Sequence, residues 1–178
     1  GLGERPHERI LDRIAELRQA EGSGFATGLH VLPDFHGNRS PLADPRALGV
    51  VSGLAIDASF DGLSRLYWRT AVSIALGVRH ILDSLKENGQ TVSMLHVTGG
   101  HVRNPLLMEL YADATGCTVS EPDAADATLL GTAMTAAVAA GLYSTVAEAC
   151  AAMDQGATTR EPNPEAAARF ENDYRAYL

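Results

Sequence analysis

The chain has 178 residues, 46% of them hydrophobic, which is enough for one domain with a sizeable core. Its formal net charge is −8, and its Lys and Arg residues are scattered among acids, so nucleic acid and an anionic membrane surface are both excluded as expected partners. No stretch reaches the roughly 18 apolar residues of a membrane span, no secretory leader opens the chain, and Cys117 and Cys150 lack metal or disulfide-framework spacing, so a cytoplasmic setting is expected.

In chain order, His7 to Ala20 reads as a helix, with Ile10, Leu11, Ile14 and Leu17 on one face. The run Glu21-Gly22-Ser23-Gly24 ends it. Leu29 to Leu32 is a short apolar strand, Pro33 to Pro45 a proline-punctuated loop, and Gly49 to Ile56 a second strand. Asp61 to Asn88 carries the longest helical period, from Leu63, Leu66 and Tyr67 through Ile74, Val78 and Ile81 to Leu85; Asp61 is the expected N-cap and Gly89 the C′ residue. Val92 to Thr98 is a strand expected at the centre of the sheet and buried on both faces, because it runs straight into the turn Gly99-Gly100. Asn104-Pro105 starts a helix over 106–115, Cys117 to Ser120 is a further strand, and Asp126 to Ala140 is a helix closed by Gly141; these two helices are expected to flank the strand Val92 to Thr98. Thr145 and Glu148 have capping-box spacing, and Asn163-Pro164 starts a last helix with a Phe170, Tyr174, Tyr177 stripe. Alternating strands and helices place the chain in the α/β class.

The strand–Gly-Gly–helix unit over 94–108 is where ligand chemistry concentrates. Two glycines after a strand let backbone approach a ligand without a Cβ clash, and a helix N-terminus behind them offers N–H groups and the positive end of a dipole. A plain turn between strand and helix is the other account of the same residues. A dinucleotide fingerprint is weighed too, because Glu121 follows about 20 residues on, but Gly99-Gly100-His101-Val102-Arg103-Asn104 lacks the third glycine. Arg39 could offer a fork to phosphate or carboxylate, or simply bond loop carbonyls. Asn104 reads as an N-cap, which does not exclude a ligand contact. Asp34 and Asp44 could pose as a carboxylate pair but suit turn formation better. His36, His96 and His101 make no metal constellation, and Asp123 and Asp126 are expected to cap a helix start.

Taken together, these segments resemble a known family. Val97-Thr-Gly-Gly-His-Val-Arg-Asn-Pro-Leu-Leu-Met108, with Tyr111-Ala-Asp-Ala-Thr-Gly-Cys-Thr-Val119, is similar to the adenosine motif of FGGY-type carbohydrate kinases. Leu129-Leu-Gly-Thr-Ala-Met134, running on to Ala149, resembles the family's following Gly-Ala-Ala helix, and Pro33 to Pro45 resembles its F-x-G-x-R-x-P loop in a form most like the ribulokinase branch. His101 stands where the family often has Gly, Ala or Leu, and the long helix departs from the family signature at Leu66 and Ser73.

The resemblance implies a ribonuclease H-like, actin-like ATPase domain, the second domain of a sugar kinase. All of 1–178 would be that C-terminal domain: a helical lead-in over 1–25, an α/β core over 26–160 and a C-terminal helix over 161–178. The N-terminal domain would be absent. Carried over, Gly99, Gly100, His101 and Asn104 would border the nucleotide, Gly37 and Arg39 would lie in a loop facing the cleft, and Gly131 and Ala133 would pack an interdomain helix. ATP and Mg²⁺ would serve the reaction, a pentulose or pentitol would accept the phosphoryl group, and the partner would be the chain's own N-terminal kinase domain, with a homodimer left open. The catalytic base would lie in that missing domain, so this chain is expected to hold neither base nor metal site. The competing expectations are a non-catalytic nucleotide-binding or interaction module and a dinucleotide-binding dehydrogenase domain.

Overall fold

In a computed structural model, residues 5–124 and 126–178 are described; the first four residues of the expected lead-in lie outside them. Helix α1 (Pro6–Glu21) buries Ile10, Ile14 and Leu17 on the face their spacing predicts. Helix α2 (Phe60–Glu87) is the backbone of the domain and buries Trp68, Ala71, Val72, Ala75 and Leu76. Its N-cap is Ser59, whose Oγ accepts the Gly62 amide at 3.0 Å. Asp61, expected in that role, lies inside the first turn and pairs with Arg13 of α1 at 2.7 Å, which holds its carboxyl below the usual range. Helix α3 (Pro105–Thr115) packs along α2, and together with α1 these helices enclose one core with Met108, Leu110 and Tyr111 at its centre.

Two small sheets flank the helices. Strands β1 (His30–Leu32) and β2 (Val50–Ser52) form an antiparallel pair apart from the main sheet. β2 is shorter than its apolar run because Gly53 turns the chain at φ 79°, where an added Cβ would run into the Gly28 carbonyl oxygen. The main sheet has β4 (Thr118–Pro122) in the middle, β3 (Met94–His96) parallel on one side and β5 (Ala157–Arg160) antiparallel on the other.

The strand leading into the glycine turn is therefore an edge strand, contrary to expectation. Leu95 faces the core, while Met94 and His96 are exposed. A turn at the end of a strand says nothing about how many neighbours the strand has. Order is set by the crossovers: α3 returns the chain to place β4 beside β3, and β5 then folds back on the far side of β4. Buried Val119 and Ser120 mark β4 as the central strand.

Helix α4 (Ala127–Ala139) also differs from expectation. Asp126 caps it as read, accepting the Thr128 and Leu129 amides at 3.0 and 2.9 Å. Asp123 does not cap; it accepts the Thr158 hydroxyl at 3.1 Å and so ties β5 to β4. Although α4 is almost wholly apolar, none of its described residues is buried, and it leans chiefly on α5 (Val146–Met153). It does not flank β3. Nothing lies within 4 Å of where a Cβ on Gly131 would stand. Gly131→Leu should thus leave the melting temperature of this chain unchanged or raise it, because leucine gains up to about 1 kcal/mol of helix propensity over glycine. A loss of stability in a thermal melt would show that α4 has a tight neighbour within the chain.

Helix α6 (Pro164–Tyr177) closes the molecule. Asn163 caps it by accepting the Glu165 amide, and Phe170 and Tyr174 are buried against the core as the stripe predicts. The Arg79 guanidinium sits 4.0 Å from the Tyr174 ring centre and bonds Glu171 at 2.7 Å, while the Tyr174 hydroxyl donates to Asp83 at 2.7 Å. Burial and that carboxylate push the Tyr174 hydroxyl well above its ordinary value. Among the described residues no helix is long and apolar enough to cross a membrane.

Candidate functional site

The glycine pair begins a five-residue 3₁₀ turn, Gly99–Arg103, that carries the chain from β3 to α3. Gly99 takes φ 79°, a conformation that L side chains rarely adopt, which accounts for glycine at this position. Gly100 keeps negative φ, is exposed, and has nothing within 4 Å of where a Cβ would be. The fold therefore does not require Gly100 to be glycine; a close approach by something else would. Val102 anchors the turn against the core.

The helix start behind the turn is less available than the sequence suggests. Asn104 Oδ1 accepts the Leu106 and Leu107 amides at 3.1 and 3.4 Å, and its carbonyl takes the Met108 amide. Pro105 has no N–H to offer. The cap thus spends the donors that a ligand would have used. What remains is the Asn104 amide nitrogen. One of its N–H bonds goes to Tyr67 Oη of α2 at 3.2 Å, and the second is available to a ligand.

Tyr67 lies in a surface groove of about 340 Å³ with Leu63, Leu66, Thr70, Ile74 and Leu107, and Asn104 is its polar rim. The structure thus joins the glycine turn to an apolar slot through one side chain. Periodicity marked Tyr67 only as part of the α2 stripe; a hydroxyl at the edge of that stripe is the signal that could have singled it out. Tyr111, which the sequence places only as the start of a motif segment, makes a second link. Its hydroxyl bonds His101 Nδ1 at 2.9 Å, so His101, although exposed, is held. Burial pushes the Tyr111 hydroxyl above its ordinary value.

The proline-rich loop lies elsewhere along α2. Pro41 and Leu42 share a cleft with His80, Asp83 and Tyr174, whereas Asn104 meets α2 at Tyr67, about 20 Å away along the helix. Gly37 and Arg39 are not brought to the glycine turn by this chain. Gly37 is fixed by local packing: at φ 80° an added Cβ would sit 2.8 Å from the Pro45 backbone. Asp34 and Asp44 shape the loop, as expected. The Asn38 amide donates to both Asp34 carboxylate oxygens at 3.1 and 3.2 Å, and Asp44 Oδ1 accepts the Arg46 amide at 2.8 Å. Arg39 is exposed. Gly131 and Ala133 lie on α4, away from both. Among the described residues no three of His, Cys, Asp and Glu converge as a metal site would require.

Comparison with known proteins gives these features a family. A model of the FGGY family of carbohydrate kinases, C-terminal domain, matches residues 3–140. An FGGY carbohydrate kinase domain-containing protein of Xenopus laevis is 36% identical over 99% of this chain and 32% of its own length. A ribulokinase of Mycolicibacterium smegmatis is 35% identical over 97% of this chain and 29% of its own length. A solved xylulose kinase from Lactobacillus acidophilus superposes with a TM-score of 0.76 at 22% identity, covering 99% of this chain and 34% of that one. The chain thus spans about a third of the length of the proteins it matches, and its mixed sheet with flanking helices is the fold of FGGY sugar kinases, the actin-like ATPase fold. The chain belongs to the FGGY family of carbohydrate kinases, as a C-terminal domain of that family.

Proposed function

We propose that this chain is the nucleotide-binding part of an ATP-dependent kinase for a pentulose or pentitol, and that the turn Gly99–Arg103 with Asn104 receives the adenosine end of ATP. The observation that carries this reading is the juxtaposition at Asn104. That residue closes the glycine turn, lines the apolar groove and has an N–H to spare. A flat, largely apolar base with ring acceptors suits such a slot. Gly99 and Gly100 admit the sugar or phosphate side to the backbone, and His101 stands at the same edge. The pentulose side of the reading rests on the ribulokinase relative. A cytoplasmic setting, where ATP is plentiful, agrees with two free cysteines.

In the reaction, an acceptor hydroxyl would attack the γ-phosphorus, the bond to the bridging oxygen would break, and ADP would leave. Catalysis of this kind is positioning and charge stabilisation. The contribution of this chain is the positioning of one end of the nucleotide. Mg²⁺ would be held chiefly by the phosphates, with one or two carboxylates completing its shell. The same division explains the surface that the fold leaves open. The free edge of β3 and the apolar face of α4, where Leu129 is 66% exposed, suit contact with the kinase's own N-terminal part. Gly131 and Ala133 would then allow close approach across that contact, and Gly37 with Arg39 would face the cleft between the two.

The test is an ATP titration of the ¹⁵N-labelled chain, followed by amide shifts. Shifts should concentrate in 99–104 and along the Leu63–Ile74 face of α2. Gly100→Val should abolish them or weaken binding severely, while its melting curve stays close to wild type, because a side chain there meets open space. Equal affinity in the two proteins would remove the turn from the site.

A further inference from the structure

We propose that Tyr111 locks His101 in the tautomer with its proton on Nε2, so that His101 presents a directed N–H donor to an acceptor atom of the bound nucleotide. The inference rests on the nucleotide reading of the turn, but the lock itself is a property of this chain.

Tyr111 is on the inward face of α3 and only 4% exposed. A phenol buried to that degree needs a partner for its hydroxyl. The partner is His101 Nδ1 at 2.9 Å, and no other acceptor meets that hydroxyl among the described residues. Two arrangements could make the contact. If Nδ1 carried the ring proton, the phenol oxygen would accept it and the phenol's own hydrogen would be left without an acceptor at the edge of the core. Leaving a buried donor unmade is the costlier choice. If Nδ1 carries the lone pair, the phenol donates to it and every group is satisfied. The neutral imidazole then has its proton on Nε2. Burial, which holds the phenol in its protonated form, acts in the same direction.

The geometry gives that proton a destination. With Nδ1 turned inward to Tyr111, Nε2 is on the outer side of an exposed ring. His101 follows Gly99 and Gly100 directly and precedes Asn104 in the same 3₁₀ turn, which Val102 holds against the core. A ligand seated over the glycines would meet two side-chain donors at fixed places, the Asn104 amide and His101 Nε2–H. Acceptors suited to them are the ring nitrogens of a purine and the hydroxyl oxygens of a ribose. His101 is the binding residue here, and Tyr111 is a positioning residue that acts through it.

The experiment has a spectroscopic and a binding arm. Two-bond ¹H–¹⁵N correlation of the labelled chain, at a pH where the imidazole is neutral, should show His101 as the Nε2–H form. Tyr111→Phe, checked for folding by a melt, should convert that signal to a tautomer mixture. In ATP titrations, His101→Ala should weaken binding about tenfold, the value of one hydrogen bond. His101→Gln, which returns an N–H at similar reach, should recover most of that loss, and Tyr111→Phe should fall between wild type and His101→Ala. An Nδ1–H signal in the wild type overturns the lock. If Gly100→Val abolishes ATP binding and His101→Ala stays within twofold of wild type, the donor role is overturned while the nucleotide reading stands. A wild-type chain that does not respond to ATP, or responds equally with Gly100→Val and His101→Ala, overturns the nucleotide reading and the donor role with it.

Discussion

Arg69→Met should destabilise the chain by about 3–5 kcal/mol, the usual cost of removing one partner from a buried ion pair. Arg69 is 5% exposed and uses its whole guanidinium. Nε donates to the Leu29 carbonyl; Nη1 and Nη2 make a bidentate fork to Asp173 at 2.8 and 2.7 Å, and Nη2 also meets His30 Nδ1 at 3.2 Å. One side chain on α2 thereby fastens both β1 and α6. Methionine keeps the stem's packing but leaves Asp173 charged, 18% exposed and without its cation, and it strands the Leu29 carbonyl. Chemical denaturation of wild type, Arg69→Met and Arg69→Met/Asp173→Leu would separate these terms. The double variant should recover part of the loss, because it removes the stranded charge, but not all, because the Leu29 carbonyl stays unpaired. A single variant within about 1 kcal/mol of wild type would mean that water reaches the cluster and screens it.

Arg69 also shows where sequence reading stops. It lies outside the apolar period read along α2, and nothing local reveals that two distant segments converge on it. Local signals did translate. Asn104, Asp126, Thr145 and Asn163 all cap the helices they were expected to cap, because a cap is settled within three or four residues. At the predicted capping box Thr145 Oγ1 accepts the Glu148 amide at 3.1 Å, while the Glu148 carboxylate accepts the amide of Ser144, one residue before the cap, at 2.9 Å. Two caps failed locally, Asp61 giving way to Ser59 and Asp123 turning to Thr158; the larger expectations that failed depended on neighbours. β3 looked central because it leads straight into the glycine turn, yet sheet order is set by crossovers. α4 is expected beside β3 from its place in the alternation of strands and helices, but an apolar composition does not say what covers a face, and α4 leans chiefly on α5. β5, Ala-Thr-Thr-Arg, is short, polar and exposed, so it has no pattern to read. At the site, the motif gave the glycine turn and Asn104. The α2 period marks Tyr67 and a motif segment begins at Tyr111, but neither shows which group the hydroxyl meets, which is settled only by tertiary contacts.

Purified alone, this chain should fold yet phosphorylate no sugar. It should fold because α1, α2, α3 and α6 share one core, from Ile14 through Val72 and Met108 to Phe170, built from residues of this chain. The open β3 edge is a route to self-association, so the preparation should be checked for monodispersity. Phosphoryl transfer needs a group to take the acceptor proton, a place for the acceptor and stabilised charge on the transferring phosphorus. The carboxylates nearest to that role are already committed: Asp34 is buried and held by Asn38, and Asp44 holds the Arg46 amide. The loop that carries them meets α2 about 20 Å from Asn104, too far for a base there to serve a nucleotide bound at the turn, as proposed above, without a second domain closing over both. A coupled assay with ATP, Mg²⁺ and a panel of D-ribulose, L-ribulose, ribitol and glycerol decides the matter. Turnover should not exceed the blank. Turnover well above it, from a preparation whose mass confirms the 18.8 kDa chain alone, would place a base within these residues. Asp34→Asn and Asp44→Asn would then identify it, since each keeps an acceptor oxygen for the loop while removing the basic carboxylate.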